Sequence, residues 1–142
     1  MSSIPKISYL FAGAALAALL LFVGRVWLAP EALVAARMFG APFRGTLMQP
    51  EILLAIFFLI LACAYVLLRD YSPRAVGIAA NIHFWFTFLG SMAVLATLYL
   101  AVFVERFAVG VTVLAFVGVA AFTIGQLAFV VNVFRTAFGA RA

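Results

Sequence analysis

Residues 81–90 read Asn-Ile-His-Phe-Trp-Phe-Thr-Phe-Leu-Gly and place the only histidine of the chain inside an otherwise apolar run. No charged residue occurs between Arg74 and Glu105. A helix rises about 1.5 Å per residue, so this stretch is long enough to cross the hydrocarbon core of a bilayer. The sequence therefore predicts a transmembrane helix over residues 75–104 that carries His83.

Polar side chains of this predicted helix share one face. His83, Thr87 and Ser91 follow one another at intervals of four residues, the spacing at which side chains on a helix become neighbours. Lipid tails cannot satisfy hydrogen bonds, so a polar stripe on a spanning helix turns toward protein or trapped water. We expect these three side chains to lie at an interface between helices.

The composition indicates an integral membrane protein, since 69% of the 142 residues are hydrophobic and only 9% are charged. Four apolar segments exceed the roughly 18 residues that mark a spanning helix. We expect an all-α fold in which residues 1–142 form a single four-helix transmembrane bundle. The predicted helices cover residues 7–28, 51–69, 75–104 and 111–138.

The segments between these helices carry most of the charges and prolines. Residues 30–50 mix apolar side chains with Glu31, Arg37 and Arg44, which is typical of a segment that lies in the headgroup zone. Pro30 could open a short helix there and Gly40 could end it, so we expect a partly helical interfacial segment without β structure. Residues 69–74 and 105–110 are predicted turns.

Small residues recur at helical spacing in the first and fourth helices, a pattern that favours close contact between helices. They are Gly13 with Ala17 and Ala14 with Ala18 in the first helix, and Gly118, Ala121, Gly125 and Ala128 in the fourth. The fourth helix also carries the amides Gln126 and Asn132, which we expect to hydrogen-bond across a helix interface.

Two other polar residues of the spans have simpler interpretations. Arg25, close to Trp27 at the end of the first helix, fits a cation that extends to the headgroups beside an interfacial aromatic anchor. Cys63 is the only cysteine, so it cannot form a disulfide within the chain, and we interpret it as a packing residue.

The basic residues predict an orientation and exclude one class of partner. Of the nine, five lie on the side of the termini, namely Lys6, Arg69, Arg74, Arg135 and Arg141. The positive-inside rule then predicts that both termini lie in the cytoplasm. We expect a multi-pass protein of the inner (cytoplasmic) membrane. The net charge of +5 is spread over helix ends without a basic cluster, which argues against a nucleic-acid partner.

Enzyme motifs are missing from the sequence. No glycine-rich loop lies between a strand and a helix, and the four carboxylates, Glu31, Glu51, Asp70 and Glu105, all lie near helix ends. A four-helix proton or drug antiporter would need an acidic residue at mid-membrane. We therefore predict no catalytic residue and no metal site in this chain.

Two stretches of the sequence resemble a known protein family. Residues 82–90, Ile-His-Phe-Trp-Phe-Thr-Phe-Leu-Gly, resemble the eleventh transmembrane helix of heme-copper oxidase subunit I, with its Ile-His-Phe-Trp-Leu-Thr-Phe-Ile-Gly run. Residues 121–135 resemble its twelfth helix, where a Gly-Gln-Leu-Leu-Phe stretch leads into Asn and a short basic tail. The resemblance covers the chain from about Tyr65 onward and implies a membrane subunit associated with electron transport.

The sequence departs from that family at the cofactor ligands. The family's tenth helix carries heme-ligating histidines, whereas residues 51–68 contain none, and the helices with the copper ligands have no counterpart. The paired arginines that hold heme propionates have one counterpart at most, Arg106. The family position of His83 is not a metal ligand. The resemblance thus implies a chain that cannot reduce oxygen by itself.

Three functions follow as alternatives. The first is a noncatalytic subunit that packs against a larger respiratory complex through the small-residue faces of its first and fourth helices, without a cofactor of its own. The second is an electron carrier for heme b or quinone that uses His83 as a ligand. The third is a small transporter built as a homo-oligomer around the polar stripe.

For His83 itself we predict a packing role. A neutral imidazole has one donor and one acceptor, which Thr87, Asn81, a backbone carbonyl or Gln126 could satisfy without a metal.

Overall fold

Four long helices make up the computed structural model, which describes residues 6–28, 37–38, 41–42, 50–71, 77–103 and 108–138. Each helix is long and apolar enough to cross a membrane. This confirms the predicted all-α fold of membrane-spanning helices. The helices are α1 (Lys6–Leu28), α2 (Pro50–Tyr71), α3 (Ile78–Phe103) and α4 (Ala108–Phe138).

The helix boundaries differ from the predicted ones by up to three residues. Helix α2 continues through Tyr71, into the stretch predicted to be a turn, and α4 begins at Ala108. Polar residues and a glycine such as Gly110 are tolerated in a terminal helical turn, because part of its backbone hydrogen bonding is unpaired in any case.

The segment between α1 and α2 contains a small departure from the prediction. Two two-residue strands, β1 (Arg37–Met38) and β2 (Ala41–Pro42), pair in antiparallel fashion, with Arg37 opposite Pro42. Pro42 has no backbone N–H to donate, and Gly40 has a low helix propensity, so a helix is disfavoured here. The predicted helical part of the rest of residues 30–50 lies outside the described residues.

Contacts along the helices define the bundle. Helix α1 packs along α2 and α3 packs along α4, while smaller contacts join α1 to α3 and α2 to both α3 and α4. Phe11 meets Tyr65, whereas Arg25 meets Glu51, so α1 and α2 run antiparallel. The same reasoning makes α3 antiparallel to both α2 and α4. One end of the bundle, here called the terminal end, therefore holds the start of α1 and the end of α4.

Glycines allow α3 and α4 to approach each other closely. A Cβ atom on Gly90 would lie 2.5 Å from the backbone nitrogen of Phe122, and one on Gly125 would lie 2.8 Å from the backbone nitrogen of Thr87. Neither backbone can move away without separating the helices. The small-residue face of α4 thus contacts a neighbouring helix, as predicted, and that neighbour is α3 of the same chain.

The core lies between the four helices at the terminal half of the bundle and is rich in aromatic rings. Phe11, Phe58, Tyr65 and Phe84 are buried there. On α1, Ala14 belongs to this core, and Ala18, one turn further on, is also buried. The outward-facing surface is large and apolar, which suits contact with lipid tails.

Candidate functional site

His83 lies inside the bundle and is fully buried. Its Nδ1 atom is 2.9 Å from the hydroxyl oxygen of Tyr65 on α2, a normal hydrogen-bond distance. The structure therefore places His83 at a helix interface with a hydrogen bond. The partner is not one of the candidates named from the sequence, however, because the imidazole turns toward α2 rather than toward Thr87 or Gln126.

Tyr65 is a residue of this site that sequence reasoning missed. Its helix has a bland composition that predicts packing alone. A weak signal was present, because Tyr65 and Cys63 carry the only polar groups among the side chains of residues 52–68. Cys63 is exposed on the outer surface, so it does not fit the predicted packing role, whereas Tyr65 is fully buried. A buried phenol needs a hydrogen-bond partner, and His83 supplies one.

Aromatic rings from three helices surround the imidazole. The ring centroids of Phe11 and Phe129 lie 5.2 Å and 4.8 Å from that of His83, and Tyr65 lies at 5.7 Å. An imidazolium would be costly to desolvate among these rings. The surroundings favour a neutral His83.

Asn132 extends this polar group from α4. Its side chain is buried, and it hydrogen-bonds to the Tyr65 hydroxyl. The structure thus brings together His83 and Asn132, two residues singled out from the sequence, through a tyrosine that was not. We call His83, Tyr65 and Asn132 the terminal-end cluster.

Three buried polar atoms have no hydrogen-bond partner among the described residues. They are the Nε2 of His83 and the hydroxyl oxygens of Ser8 and Ser91. Buried polar groups are nearly always paired in proteins, because an unpaired one costs about 1–3 kcal/mol. Each of these atoms therefore keeps an unused capacity for a hydrogen bond.

Thr87 and Gln126 form a separate contact one turn further along α3. The side-chain nitrogen of Gln126 donates to the Thr87 hydroxyl over 2.9 Å, beside Gly125. Both residues therefore lie where α3 meets α4. Ser91 also lies on the buried face, as its spacing predicts.

A second polar cluster lies at the opposite end of the bundle and joins three helices. Glu51, at the start of α2, is fully buried, and its carboxylate accepts a hydrogen bond from Arg25 Nε of α1 over 2.6 Å. The hydroxyl of Tyr99 on α3 donates to the same carboxylate. We call Arg25, Glu51 and Tyr99 the opposite-end cluster.

The opposite-end cluster corrects the interpretation of Arg25. The sequence suggested a cation that extends to the headgroups, yet its guanidinium binds Glu51 in two places and packs 5.7 Å from the Phe22 ring. A carboxylate close by in space, though 26 residues away in sequence, competes with the headgroups for the guanidinium. Trp27 does remain exposed, as expected of an interfacial anchor.

Two other predictions concern a heme propionate and a metal ion. Arg106, the candidate for binding a heme propionate, lies outside the described residues. Within the described ranges, no group of three or more His, Cys, Asp or Glu side chains is placed to share a metal ion.

Comparison of the chain with family models, with curated proteins and with solved structures finds no match.

Proposed function

We propose that this chain is a noncatalytic membrane subunit that acts by packing against a larger membrane complex. Its own four helices are held together from within, and its outer surface remains available to lipid or to another protein. In this proposal the chain itself catalyses no reaction.

The observation that carries this proposal is the position of the polar side chains. Glu51 binds residues of two other helices, Tyr65 joins His83 to Asn132, and Gln126 binds Thr87. Each of these groups links helices inside the bundle. Such contacts stabilise a scaffold, and they use the groups that a substrate or ion would otherwise bind.

We propose further that the complex belongs to a respiratory chain. This part depends on the resemblance of residues 82–90 and 121–135 to heme-copper oxidase subunit I. In this proposal the protein lies in the inner membrane with both termini in the cytoplasm, as the distribution of basic residues favours. A cysteine introduced at Ala140, in a chain whose Cys63 is replaced by alanine, should react with a membrane-impermeant reagent only from the cytoplasmic side.

The surface available for a partner is narrower than the sequence suggested. Gly118 and Gly125 of α4 pack against α3, and Ala14 and Ala18 of α1 are buried inside the bundle. Gly13 and Ala17 remain exposed on α1, and a Cβ atom on Gly13 would meet nothing within 4 Å. Small residues on an outward helix face allow another helix to approach.

Copurification tests the proposal. The tagged wild-type chain, extracted in mild detergent, should carry stoichiometric subunits of a respiratory complex with it. Gly13→Leu should release them, because the larger side chain keeps the partner helix away, whereas Val113→Leu on the exposed face of α4 should not. A wild-type chain that purifies alone would contradict the proposal, and partners outside respiration would contradict its second part.

The second candidate, a heme or quinone carrier, has one observation in its favour, the unpaired Nε2 of His83. A heme does not fit the described residues as they are arranged, because Phe11, Tyr65 and Phe129 enclose a single imidazole. The fully buried ring also cannot meet the His83 of a second copy. An absorption spectrum decides: a Soret band present in the wild type and absent in His83→Gln would establish the carrier.

A further inference from the structure

Two of the unpaired polar atoms belong to the same part of the bundle. Ser8 lies one helical turn before Phe11 on the buried face of α1, and the Phe11 ring centroid is 5.2 Å from that of His83. Both the Ser8 hydroxyl and the Nε2 of His83 lack a hydrogen-bond partner within the part of the chain that the structure describes. The two residues approach the terminal end of the core from different helices.

The hydrogen bonds of the terminal-end cluster decide what the Nε2 atom needs. The Tyr65 hydroxyl lies 2.9 Å from Nδ1 of His83, and when the phenol donates its proton there, Nδ1 acts as the acceptor. A neutral imidazole then carries its proton on Nε2. This N–H group is buried and requires an acceptor.

We infer that a buried water molecule bridges His83 Nε2 and the Ser8 hydroxyl. A water accepts from the imidazole N–H and donates to or accepts from the serine, so it satisfies both orphan atoms at once. Removing either group from water without a replacement is unfavourable, which makes the site costly to leave dry. Neither the sequence patterns nor the helix packing alone indicated such a site.

The surroundings select water over a larger ligand. Phe11, Tyr65 and Phe129 lie close to the imidazole on three sides, and the Nε2 atom itself is enclosed. A molecule with two polar contacts and the size of one oxygen atom meets these constraints. Ser8 is the third residue of α1, so the proposed site lies near the terminal end of the bundle.

Ser91 provides a matched control, because its hydroxyl is also buried and unpaired. It lies eight residues beyond His83 on α3, about 12 Å along the axis at the usual rise per residue. That separation is too long for one water molecule to bridge Ser91 and the imidazole. Ser91 therefore does not contribute to the proposed water site.

Solid-state NMR of the full chain in lipid bilayers tests the inference on the wild type. The chain has one histidine, so isotope-labelled histidine marks a single imidazole. We expect the proton on Nε2 and rapid magnetisation transfer to it from water. A proton on Nδ1 instead, no transfer from water, or a contact with an organic carbonyl would overturn the water site.

Two substitutions then locate the second partner of the water. Ser8→Ala should slow the transfer at least about twofold, because one of the two groups that hold the water is lost. Ser8→Thr, which keeps the hydroxyl, and Ser91→Ala should leave the transfer unchanged. Equal transfer in the wild type and Ser8→Ala would exclude Ser8, and the wild-type measurement decides the water site even if the alanine variant does not fold.

Discussion

The two polar clusters of this bundle differ in charge and in how completely their buried polar atoms are paired. The terminal-end cluster, built on Tyr65 and His83, is neutral and leaves the Nε2 of His83 unpaired. The opposite-end cluster is charged, and the carboxylate of Glu51 is matched by a guanidinium and a phenol. The charged cluster therefore joins three helices with its carboxylate paired, whereas the neutral cluster can form one more hydrogen bond at Nε2 of His83.

The difference follows from the cost of burial. A buried carboxylate is unfavourable unless a cation and further hydrogen bonds compensate it, so Glu51 cannot lose either partner without consequence. Its place in the first turn of α2 adds favourable interaction with the helix dipole. A neutral imidazole loses far less when one of its two nitrogens is unpaired. The clusters should consequently respond to substitution with very different magnitudes.

The largest effect is expected at the charged cluster. Arg25→Leu leaves the Glu51 carboxylate buried without its cation and should destabilise the protein by about 3 kcal/mol. Arg25→Leu combined with Glu51→Leu removes both charges and should recover most of that loss. Unfolding in mixed detergent micelles, followed by far-ultraviolet circular dichroism, measures both. If the double variant is as unstable as the single one, the unpaired Glu51 carboxylate is not the cause of the lost stability.

A smaller loss of stability is expected where α3 packs closely on α4, beside the terminal-end cluster. In Gly125→Ala the new methyl group would press on the backbone of Thr87, one turn from His83, and should cost about 2 kcal/mol. The displacement should alter the NMR signals of His83. Gly13→Ala adds a methyl group in open space and should change neither stability nor spectrum. If Gly125→Ala behaves like Gly13→Ala, the close packing of α3 on α4 is wrong.

The neutral cluster itself should be less sensitive. His83→Leu breaks the hydrogen bond to Tyr65 and should weaken helix association by an amount on the order of 1 kcal/mol. His83→Gln keeps a donor and an acceptor and should leave assembly intact. A double-mutant cycle with Tyr65→Phe measures the coupling between the two residues. If the effects of His83→Leu and Tyr65→Phe on stability are additive, the hydrogen bond between the two residues does not stabilise this cluster.

The smallest effect is expected at the contact between Thr87 and Gln126. Thr87→Val keeps the shape of the side chain but loses the hydrogen bond, at a cost of about 0.6 kcal/mol. Thr123→Val is the matched control, because the Thr123 hydroxyl donates to the carbonyl of Val119 within its own helix on an exposed face. The same unfolding assay should show a loss for the first variant and none for the second.

Parts of this structure could be predicted because they depend on local sequence. The hydropathy of each segment is enough to recognise four spans, and the predicted start of α1 differs by one residue from Lys6. The spacing of His83, Thr87 and Ser91 places them on one face, and all three are buried. A turn that can be either helical or extended has no such periodic signal, which explains why the β pairing of Arg37 with Pro42 was not foreseen.

By itself, the sequence determined that this chain has four helices long and apolar enough to cross a membrane, and that the polar stripe of α3 turns inward, because both depend on the free energy of placing each side chain in hydrocarbon. Only the tertiary structure decided the partners. Tyr65 meets His83, and Arg25 meets Glu51, because the bundle brings α2 against both α1 and α3 at a particular rotation. That rotation is set by the summed packing of all four helices, including the close approach at Gly90, and no single segment encodes it.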